Sequence, residues 1–402
     1  MNIKLSFQSM FLLWFGAAVS MAEVMTGALY APMGFRNGML AILLGHILGN
    51  TFLVLAGKMG FREKVSSMES TRYAFGIYGS YMFSVLNILQ LMGWTAVMII
   101  VAARSLNSIS TSLWGFDSFF IWALITGLLV ILWLSSGSRG FNVINNIAVA
   151  LLFILTVVMS FLVFKGGIPA KIAGGMSFGQ GVELAVVMPL SWLPLVSDYT
   201  RMADSERSST IATWLGYFIG SCWMYMIGLS TALAYNTGDP ASIMLKAGLG
   251  VYALLIVIFS TVTTTFLDVY SSAVSFLNIR KGDERLISVV MGAVGIIIAL
   301  LFPMEQYENF LYAIGSVFAP LFAVLVTDYF IFKQNKSREK FDIKAFFAWI
   351  IGVAAYYIIL RFDTPVGVTL PDVILTGVLY AAVCLTGSKS THDFPAVKKE
   401  GE

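Results

Sequence analysis

The chain has 402 residues, of which 58% are hydrophobic and only 12% are charged, and its formal net charge is +3. A soluble protein is closer to half apolar and a quarter charged, so this composition excludes a set of ordinary soluble domains. The basic residues lie mainly in loops between apolar segments, which is typical of membrane proteins and argues against nucleic-acid binding.

Twelve apolar segments predict an all-α polytopic membrane protein. A helix needs about 20 apolar residues to cross the hydrocarbon core, and long, uniformly apolar runs favour helices over strands. In chain order the segments are Phe11–Pro32, Gly38–Gly57, Gly79–Ala103, Phe119–Ser135, Asn145–Phe164, Phe178–Ser197, Thr210–Ala234, Val251–Phe276, Leu286–Pro303, Phe310–Phe332, Phe346–Leu360 and Val373–Thr386. We expect the first to be a retained span, because it offers no convincing cleavage site for a signal peptidase.

The loop charges predict the orientation. With a cytoplasmic N-terminus, 19 of the 25 lysines and arginines fall in cytoplasmic segments. This bias favours twelve spans in the cell (inner) membrane with both termini in the cytoplasm. The sequence has no Gly-x-x-x-x-Gly-Lys-Ser/Thr phosphate-binding motif, so we expect any pumping to depend on an ion gradient or a separate subunit.

The first span carries an acid near its middle. Glu23 lies between Ser20 and Thr26 among small residues, which tolerate local unwinding of a helix. Unwound backbone at membrane depth must face protein or a water-filled cavity, and its carbonyl groups can hold a cation. The alternative is a carboxyl that only bonds a neighbouring helix, and we favour the functional interpretation.

The second and third spans each contain a ring side chain, His46 and Trp94, whose role has two interpretations. Trp94 follows Gly93 near the middle of the third span, where its indole face could stack on a flat ligand or simply pack. His46 lies in the second span and is more simply explained as a hydrogen-bonded packing residue than as a proton relay.

The sixth span contains Pro189 and Pro194, each of which removes a backbone donor. This spacing predicts an interrupted helix, and a merely kinked helix is the alternative. Interrupted helices at corresponding places in two halves indicate a transporter binding site. Spans one and six are each the first span of a five-span unit, and an odd number of spans inverts the second unit relative to the first.

The eighth span combines hydroxyls with a second buried acid. Thr261, Thr264, Thr265 and Asp268 share one helical face by their three- and four-residue spacing. Hydroxyl oxygens suit a small alkali cation, whereas threonines in membrane helices also bond their own preceding turn. The acid beside them favours a functional site.

Several of these segments resemble the nucleobase:cation symporter-1 family, over spans one to ten. The stretches that carry the resemblance are Ser191–Arg201, Gly93–Trp94, the threonine-rich run ending in Asp268–Ser271, and Thr327–Phe330. Within the family, the sequence Phe15–Gly27 most resembles the bacterial branch associated with uptake of hydroxymethylpyrimidine, a thiamine precursor.

The resemblance implies a leucine-transporter-like fold with a 5+5 inverted repeat and two C-terminal helices. A single transmembrane domain would then cover residues 1–402, with repeat one at about 8–165 and repeat two at about 178–333. The extra helices would cover about 345–386, and residues 387–402 would form a cytoplasmic tail. The implied mechanism is alternating access, in which a helical bundle rocks against a scaffold.

The resemblance also implies a planar heterocycle held between aromatic side chains of spans three and six. Trp94 matches the aromatic residue of span three, and Trp192 is taken as the second, although Met188–Pro189 occupy the place where the family usually has glycine and an aromatic residue. Glu23 falls at a polar substrate contact, and Asp268 falls near a contact that the family makes with an amide.

A cation site is implied beside the substrate site. It maps to the carbonyl groups of Val19 and Ala22 and to the hydroxyls of Thr261, Thr264 and Thr265. A shift of one residue in span eight would bring in Thr263. The coupling ion would be sodium or a proton, and no other cofactor is expected.

Two acids at one pocket suit an amino-substituted ring, because a carboxylate accepts from an exocyclic amine and a protonated carboxyl donates to a ring nitrogen. We therefore expect a secondary active importer of a pyrimidine, hydroxymethylpyrimidine or cytosine, in the lipid bilayer. The alternatives are a carrier of the same fold for an amino acid, a purine or a hydantoin, or a channel. An enzyme is not expected, because the sequence offers no nucleophile–base set or metal cluster. The sequence does not indicate the oligomeric state.

Overall fold

Helices make up almost all of the regular structure in the computed structural model of the protein. It describes residues 4–135, 174–236, 239–246, 248–301 and 307–386, with a few isolated positions between 149 and 161. Within these residues the α-helices are α1 (Phe7–Ala18), α2 (Met21–Ala28), α3 (Gly34–Glu63), α4 (Ser67–Ser70), α5 (Arg72–Trp114), α6 (Phe119–Ser135), α7 (Phe178–Leu190), α8 (Leu193–Thr200), α9 (Thr213–Tyr235), α10 (Pro240–Lys246), α11 (Val251–Ile279), α12 (Glu284–Leu301), α13 (Tyr307–Val326), α14 (Ile343–Ile359) and α15 (Thr369–Thr386).

Among the described residues, eight helical segments are long and apolar enough to cross a membrane. They are Met21–Glu63, Arg72–Trp114, Phe178–Thr200, Ser208–Tyr235, Val251–Ile279, Glu284–Leu301, Glu308–Phe332 and Thr369–Thr386. Shorter apolar helices are Phe7–Ala18, Phe119–Leu134 and Ile343–Ile359. The predicted fifth span, Asn145–Phe164, lies largely outside the described residues, as does the tail from residue 387. The all-helical prediction is confirmed, whereas the count of twelve spans is not decided by the part of the chain described.

The first span is broken between α1 and α2. Val19 leaves the helical region (φ −80°, ψ 76°) and Ser20 is extended (φ −130°, ψ 158°). The Ser20 hydroxyl accepts the backbone N–H of Glu23 at 3.3 Å and so caps α2. The break therefore places Glu23 in the first turn of a helix, where the helix dipole favours an acidic side chain.

The interruption of the sixth span is tighter. Ser191 (φ −62°, ψ −21°) and Trp192 (φ −87°, ψ −11°) keep near-helical dihedral angles between α7 and α8. Pro194 lies in the first turn of α8, where the missing N–H has no partner to lose. The two helices are thus joined by a two-residue turn rather than by an extended link.

Two amides of α5 bind the backbone around this turn. The Asn87 side-chain nitrogen donates to the carbonyl of Pro194 at 2.9 Å and to the Ser275 hydroxyl at 2.8 Å. The Gln90 side-chain nitrogen donates to the carbonyl of Ser191 at 3.2 Å. Buried carbonyl groups need a partner, so these amides fix the third span against the turn in the sixth.

Close helix packing surrounds the two breaks. A Cβ atom added at Gly45 would lie 2.5 Å from the carbonyl oxygen of Val182, and one at Gly49 would lie 2.7 Å from that of Val186. Only glycine allows α3 and α7 to approach so closely, as the Gly-x-x-x-Gly spacing indicates. The second such pair, Gly216–Gly220, packs against α1 in the same way.

A buried acid ties α7 to the C-terminal helices. Glu183 is 1% exposed. Its carboxylate accepts hydrogen bonds from the Tyr356 hydroxyl at 2.7 Å, from the Val368 N–H at 2.6 Å, and from the Thr369 N–H and hydroxyl at 2.8 and 2.7 Å. This acid is therefore saturated with donors and serves the fold.

Glu183→Ala is expected to lower the free energy of unfolding by about 3 kcal/mol, because it leaves several buried donors without an acceptor. Denaturant unfolding of the detergent-solubilised protein measures this change. Glu206→Ala is the control, since Glu206 pairs with Lys58 and Arg62 at an exposed site and its loss is expected to cost no more than about 1 kcal/mol. Equal effects of the two variants would contradict the assignment.

Candidate functional site

A cavity lies at the centre of the helices, between the two breaks and against α5 and α11. It brings together side chains that are far apart in the sequence. Its lining consists of Ala17, Ser20, Ala22, Glu23, Trp94, Met98, Met188, Ser191, Trp192, Thr264 and Asp268. All four predicted substrate-binding residues line it, together with Ala22 and Thr264 of the predicted cation set.

Glu23 lines the cavity, and each of its two carboxyl oxygens already has a hydrogen-bond partner. Its side chain is 1% exposed. Tyr217 donates to one carboxyl oxygen at 2.8 Å, and Ser221 is 2.6 Å from the other. The Trp192 indole N–H donates to the Tyr217 oxygen at 2.9 Å. The acid of span one is therefore held by α9 and linked through Tyr217 to the turn in span six.

Asp268 differs from Glu23 in the hydrogen bonding of its carboxyl group. Its side chain is 4% exposed and lines the cavity from α11. Within the described part of the chain, its carboxyl group has no hydrogen-bond partner. A buried carboxyl without a partner is costly, so such a group marks a place where a ligand can supply the missing donor.

The two tryptophans of the cavity are held by other rings. Trp94 makes an edge-to-face contact with Phe310 of α13 at a centroid distance of 5.5 Å. Gly93 makes room for this contact, because a Cβ there would lie 2.7 Å from the Phe310 ring. Trp192 makes an edge-to-face contact with Trp14 of α1 at 5.9 Å. These contacts fix the indole orientations before a ligand arrives.

Met188 also lines the cavity, one turn before Trp192. It belongs to the pair Met188–Pro189, which occupies the place where the resemblance led us to expect glycine and an aromatic residue, and Met98 of α5 is a second thioether in the lining. Methionine is flexible and polarisable and adapts to the face or edge of a ring. Both Met188 and Trp192 therefore contribute to the span-six side of the cavity.

The threonine hydroxyls of α11 fall into two groups, those that donate to a carbonyl group and those without a partner among the described residues. Thr264 donates to the carbonyl of Ala17, at the end of α1, at 3.4 Å. The hydroxyls of Thr261 and Thr265 are buried and lack a partner among the described residues. Thr263 donates to its own preceding turn at 2.7 Å. Of the predicted cation set, the hydroxyls of Thr261 and Thr265 are thus the ones without a partner in the described structure.

The two carbonyl groups predicted as cation ligands in span one differ in their position relative to the cavity. Val19 is fully buried in the break, beside the cavity but not in its lining. Ala22 is part of the lining, and its carbonyl accepts the Thr26 hydroxyl at 2.8 Å. Neither Thr261 nor Thr265 lines the cavity, so the candidate cation set is divided between residues inside the lining, Ala22 and Thr264, and residues outside it.

Some residues of the site were missed by sequence reasoning. Ser20 and Ser191 line the cavity, and Tyr217 and Ser221 bind Glu23 from α9. The sequence signal was the four-residue spacing of the last two on an apolar span, which puts both on one helical face. Nothing in the sequence indicated that this face meets span one.

Comparison with known proteins agrees with this architecture. The family model for permeases of cytosine/purines, uracil, thiamine and allantoin matches residues 4–382. The cytosine permease of Escherichia coli strain K12 is 24% identical over 315 residues, which cover 77% of this chain and 74% of that protein. The purine-cytosine permease fcyB of Emericella nidulans is 24% identical over 377 residues, covering 82% and 72%.

Solved structures establish the fold. The structure of Mhp1, a nucleobase-cation-symport-1 family transporter in a closed conformation with bromovinylhydantoin bound, matches with a TM-score of 0.83 at 17% identity, over 96% of this chain and 93% of that one. The predicted leucine-transporter-like helical fold is confirmed, and the relatives are transporters rather than enzymes. The chain therefore belongs to the nucleobase:cation symporter-1 family, the permeases for cytosine/purines, uracil, thiamine and allantoin.

Proposed function

We propose that this permease imports an amino-substituted pyrimidine, hydroxymethylpyrimidine or cytosine, by cation symport with alternating access. The observation that carries the proposal is Asp268, a buried carboxyl with no protein donor in the described part of the chain, which faces a cavity walled by Trp94 and Trp192. Such a cavity suits a flat ring with an amine at its edge.

The polar groups of the cavity match an aminopyrimidine. Its exocyclic amine would donate to Asp268, and its ring nitrogens would accept from a hydroxyl or a protonated carboxyl. The other acidic or hydroxyl side chains of the lining are Glu23, Ser20, Ser191 and Thr264. An indole face of Trp94 would stack on the ring, an interaction that does not depend on which substituent the ring carries.

The lining disfavours an amino-acid substrate. An amino acid needs a partner for its carboxylate, and the lining contains the two acids Glu23 and Asp268 without a basic side chain. A purine or a hydantoin remains the alternative within the same fold, and competition in an uptake assay separates these substrates.

The coupling ion in this proposal is sodium, with a proton as the alternative. Support comes from Thr261 and Thr265, whose buried hydroxyls have no partner in the described structure, and from Thr264, which bonds the Ala17 carbonyl at the end of α1. Residues four apart lie on one face of a helix, and two such hydroxyl oxygens suit a small cation that has lost part of its water. The proposed topology has both termini in the cytoplasm and inverted repeats at about residues 8–165 and 178–333.

Uptake of radiolabelled hydroxymethylpyrimidine into proteoliposomes tests the proposal, with an imposed sodium gradient or an imposed proton gradient. Accumulation that cytosine inhibits and that needs one gradient would support it and identify the ion. Competition by uracil or allantoin but not by aminopyrimidines would contradict the substrate class. Flux without accumulation or saturation would indicate a channel.

Trp94→Ala is expected to weaken binding of the pyrimidine by roughly 10- to 100-fold, because stacking of a base on an aromatic ring contributes about 1–3 kcal/mol. Trp94→Phe keeps a ring and is expected to retain most of the affinity. Trp122→Ala in α6 is the control, since this tryptophan packs on Phe116 away from the cavity. Equilibrium binding of radiolabelled substrate measures each change, and an unchanged affinity in Trp94→Ala would contradict the stacking role.

A further inference from the structure

His46 in α3 is a buried titratable residue that the proposed function does not use. Its side chain is fully buried. Its Nδ1 atom lies 2.8 Å from the carbonyl oxygen of Ile42, and its Nε2 atom lies 2.5 Å from the Ser221 hydroxyl oxygen. Because a carbonyl oxygen only accepts, the proton of a neutral ring must be on Nδ1, and Nε2 then accepts.

Ser221 stands between this histidine and the acid of the cavity. Its hydroxyl oxygen is 2.5 Å from His46 Nε2 and 2.6 Å from Glu23 Oε2. Each of these two hydrogen bonds needs one proton, and the single hydroxyl of Ser221 supplies only one of them. One further proton must therefore reside on Glu23 or on His46 for both hydrogen bonds to form.

Two arrangements satisfy this requirement. In the first, a neutral Glu23 carboxyl donates to Ser221, and Ser221 donates to a neutral His46. In the second, a positively charged His46 donates to Ser221, and Ser221 donates to a negatively charged Glu23. The two arrangements contain the same number of protons and the same net charge.

We propose that Glu23, Ser221 and His46 form one proton-holding unit in which Ser221 passes a proton between the acid and the imidazole. In the forward step the bond from Glu23 Oε2 to its proton breaks and a bond from that proton to Ser221 Oγ forms. The original hydroxyl proton of Ser221 moves to His46 Nε2. The carboxyl becomes a carboxylate, the imidazole becomes an imidazolium, and no proton is exchanged with water.

The unit gives the cavity an acid that adapts to its ligand. A ligand that presents a donor stabilises the carboxylate of Glu23, and one that presents an acceptor stabilises the neutral acid. Tyr217 donates to the other carboxyl oxygen in either state. This consequence rests on the proposed function, whereas the proton-holding unit itself is a property of the ligand-free protein.

Most titratable side chains around the unit are of types that carry no charge at neutral pH. Its titratable neighbours include Tyr217, Cys222 and Tyr225 of α9, Tyr30, which follows α2, and Asp268 of α11, which lines the same cavity as Glu23. The Tyr225 ring lies edge-to-face on the His46 ring at 4.8 Å, and Tyr30 contacts Tyr225 at 5.7 Å. Tyrosine and cysteine in their ordinary state are uncharged at neutral pH, so Asp268 is the one acid among these neighbours, and it lies on the cavity side of Glu23.

Nitrogen-15 NMR of the ligand-free protein tests the proposal directly. The sequence contains only two histidines, His46 and His392, so histidine labelling with a tag that lacks histidine gives two sets of ring signals. His46→Gln identifies the set that belongs to the buried ring. The chemical shift of each ring nitrogen reports whether it carries a proton.

In the wild-type protein at neutral pH, the His46 Nε2 signal is expected to be displaced toward that of a protonated nitrogen. Glu23→Gln is expected to return it to the position of an unprotonated nitrogen, because an amide has no acid proton to share. Ser221→Ala is expected to have the same effect, whereas Ser221→Thr keeps a hydroxyl and should preserve the displacement.

Ser230→Ala is the matched control. Ser230 is a buried serine of the same helix, and its hydroxyl has no hydrogen-bond partner in the described structure. An Nε2 signal that is unprotonated in the wild type, or that Glu23→Gln leaves unchanged, would overturn the proposal and make His46 a packing residue. Neither outcome depends on the transported solute, so failure of the uptake assay and failure of this proposal are distinguishable.

Discussion

Asp268→Asn is expected to weaken binding of an aminopyrimidine by about 10- to 100-fold, because a hydrogen bond to a charged group contributes about 1.5–3 kcal/mol. The carboxyl is buried, lines the cavity and has no donor in the described part of the protein. Asparagine has nearly the same shape but offers a neutral acceptor and an additional donor, which would face the amine of the ligand. Competition of unlabelled hydroxymethylpyrimidine and cytosine against the labelled substrate measures the loss.

Asp372→Asn is the matched control for this substitution. Asp372 is also a fully buried carboxyl, and both of its oxygens lack a partner among the described residues. It lies in α15 and is not part of the cavity lining. Equal losses in the two variants would mean that removing any buried carboxyl harms the protein, and full affinity in Asp268→Asn would remove Asp268 from the binding site.

The double substitution Thr261→Val and Thr265→Val is expected to raise the sodium concentration for half-maximal uptake by at least about tenfold, a change of roughly 1.4 kcal/mol. Valine keeps the branched shape of threonine and removes the hydroxyl, so the packing of α11 is little changed. The two hydroxyls lack partners in the described structure, and their removal therefore breaks no internal hydrogen bond. Substrate affinity at saturating sodium is expected to stay near that of the wild type.

Thr263→Val tests the register of this cation set. The Thr263 hydroxyl bonds its own preceding turn, so its loss is expected to leave the sodium dependence unchanged. A strong effect of Thr263→Val, with none from the double variant, would move the cation site by one residue. If uptake responds to a proton gradient alone and neither variant alters it, sodium is not the coupling ion.

Local chemistry made the helix breaks predictable, but it did not give their geometry. Small residues around Glu23 and the pair Pro189 and Pro194 marked the two places. The first break is an extended link at Val19 and Ser20, whereas the second is a tight turn. The difference depends on partners supplied by other helices, such as the amide of Asn87 that bonds the carbonyl of Pro194.

Helix lengths were underestimated for a physical reason. The apolar run Gly79–Ala103 predicted the third span, but α5 extends over Arg72–Trp114, with a kink at Gly76 where φ is 77°. Apolar residues mark only the part of a helix that lies in hydrocarbon, and a helix continues into the polar region as long as its backbone hydrogen bonds are satisfied.

The amino-acid sequence was enough to identify an all-helical membrane protein, because apolar runs of membrane length satisfy their backbone hydrogen bonds as helices. It also indicated candidate site residues, since Glu23, Asp268 and Trp94 stand out in their spans, and all three line the cavity. The hydrogen bonding of each acid, in contrast, depends on contacts between helices. Glu23 is bonded by side chains of α9 and Asp268 is left open to the cavity, and that difference arises from contacts between helices that no local pattern encodes.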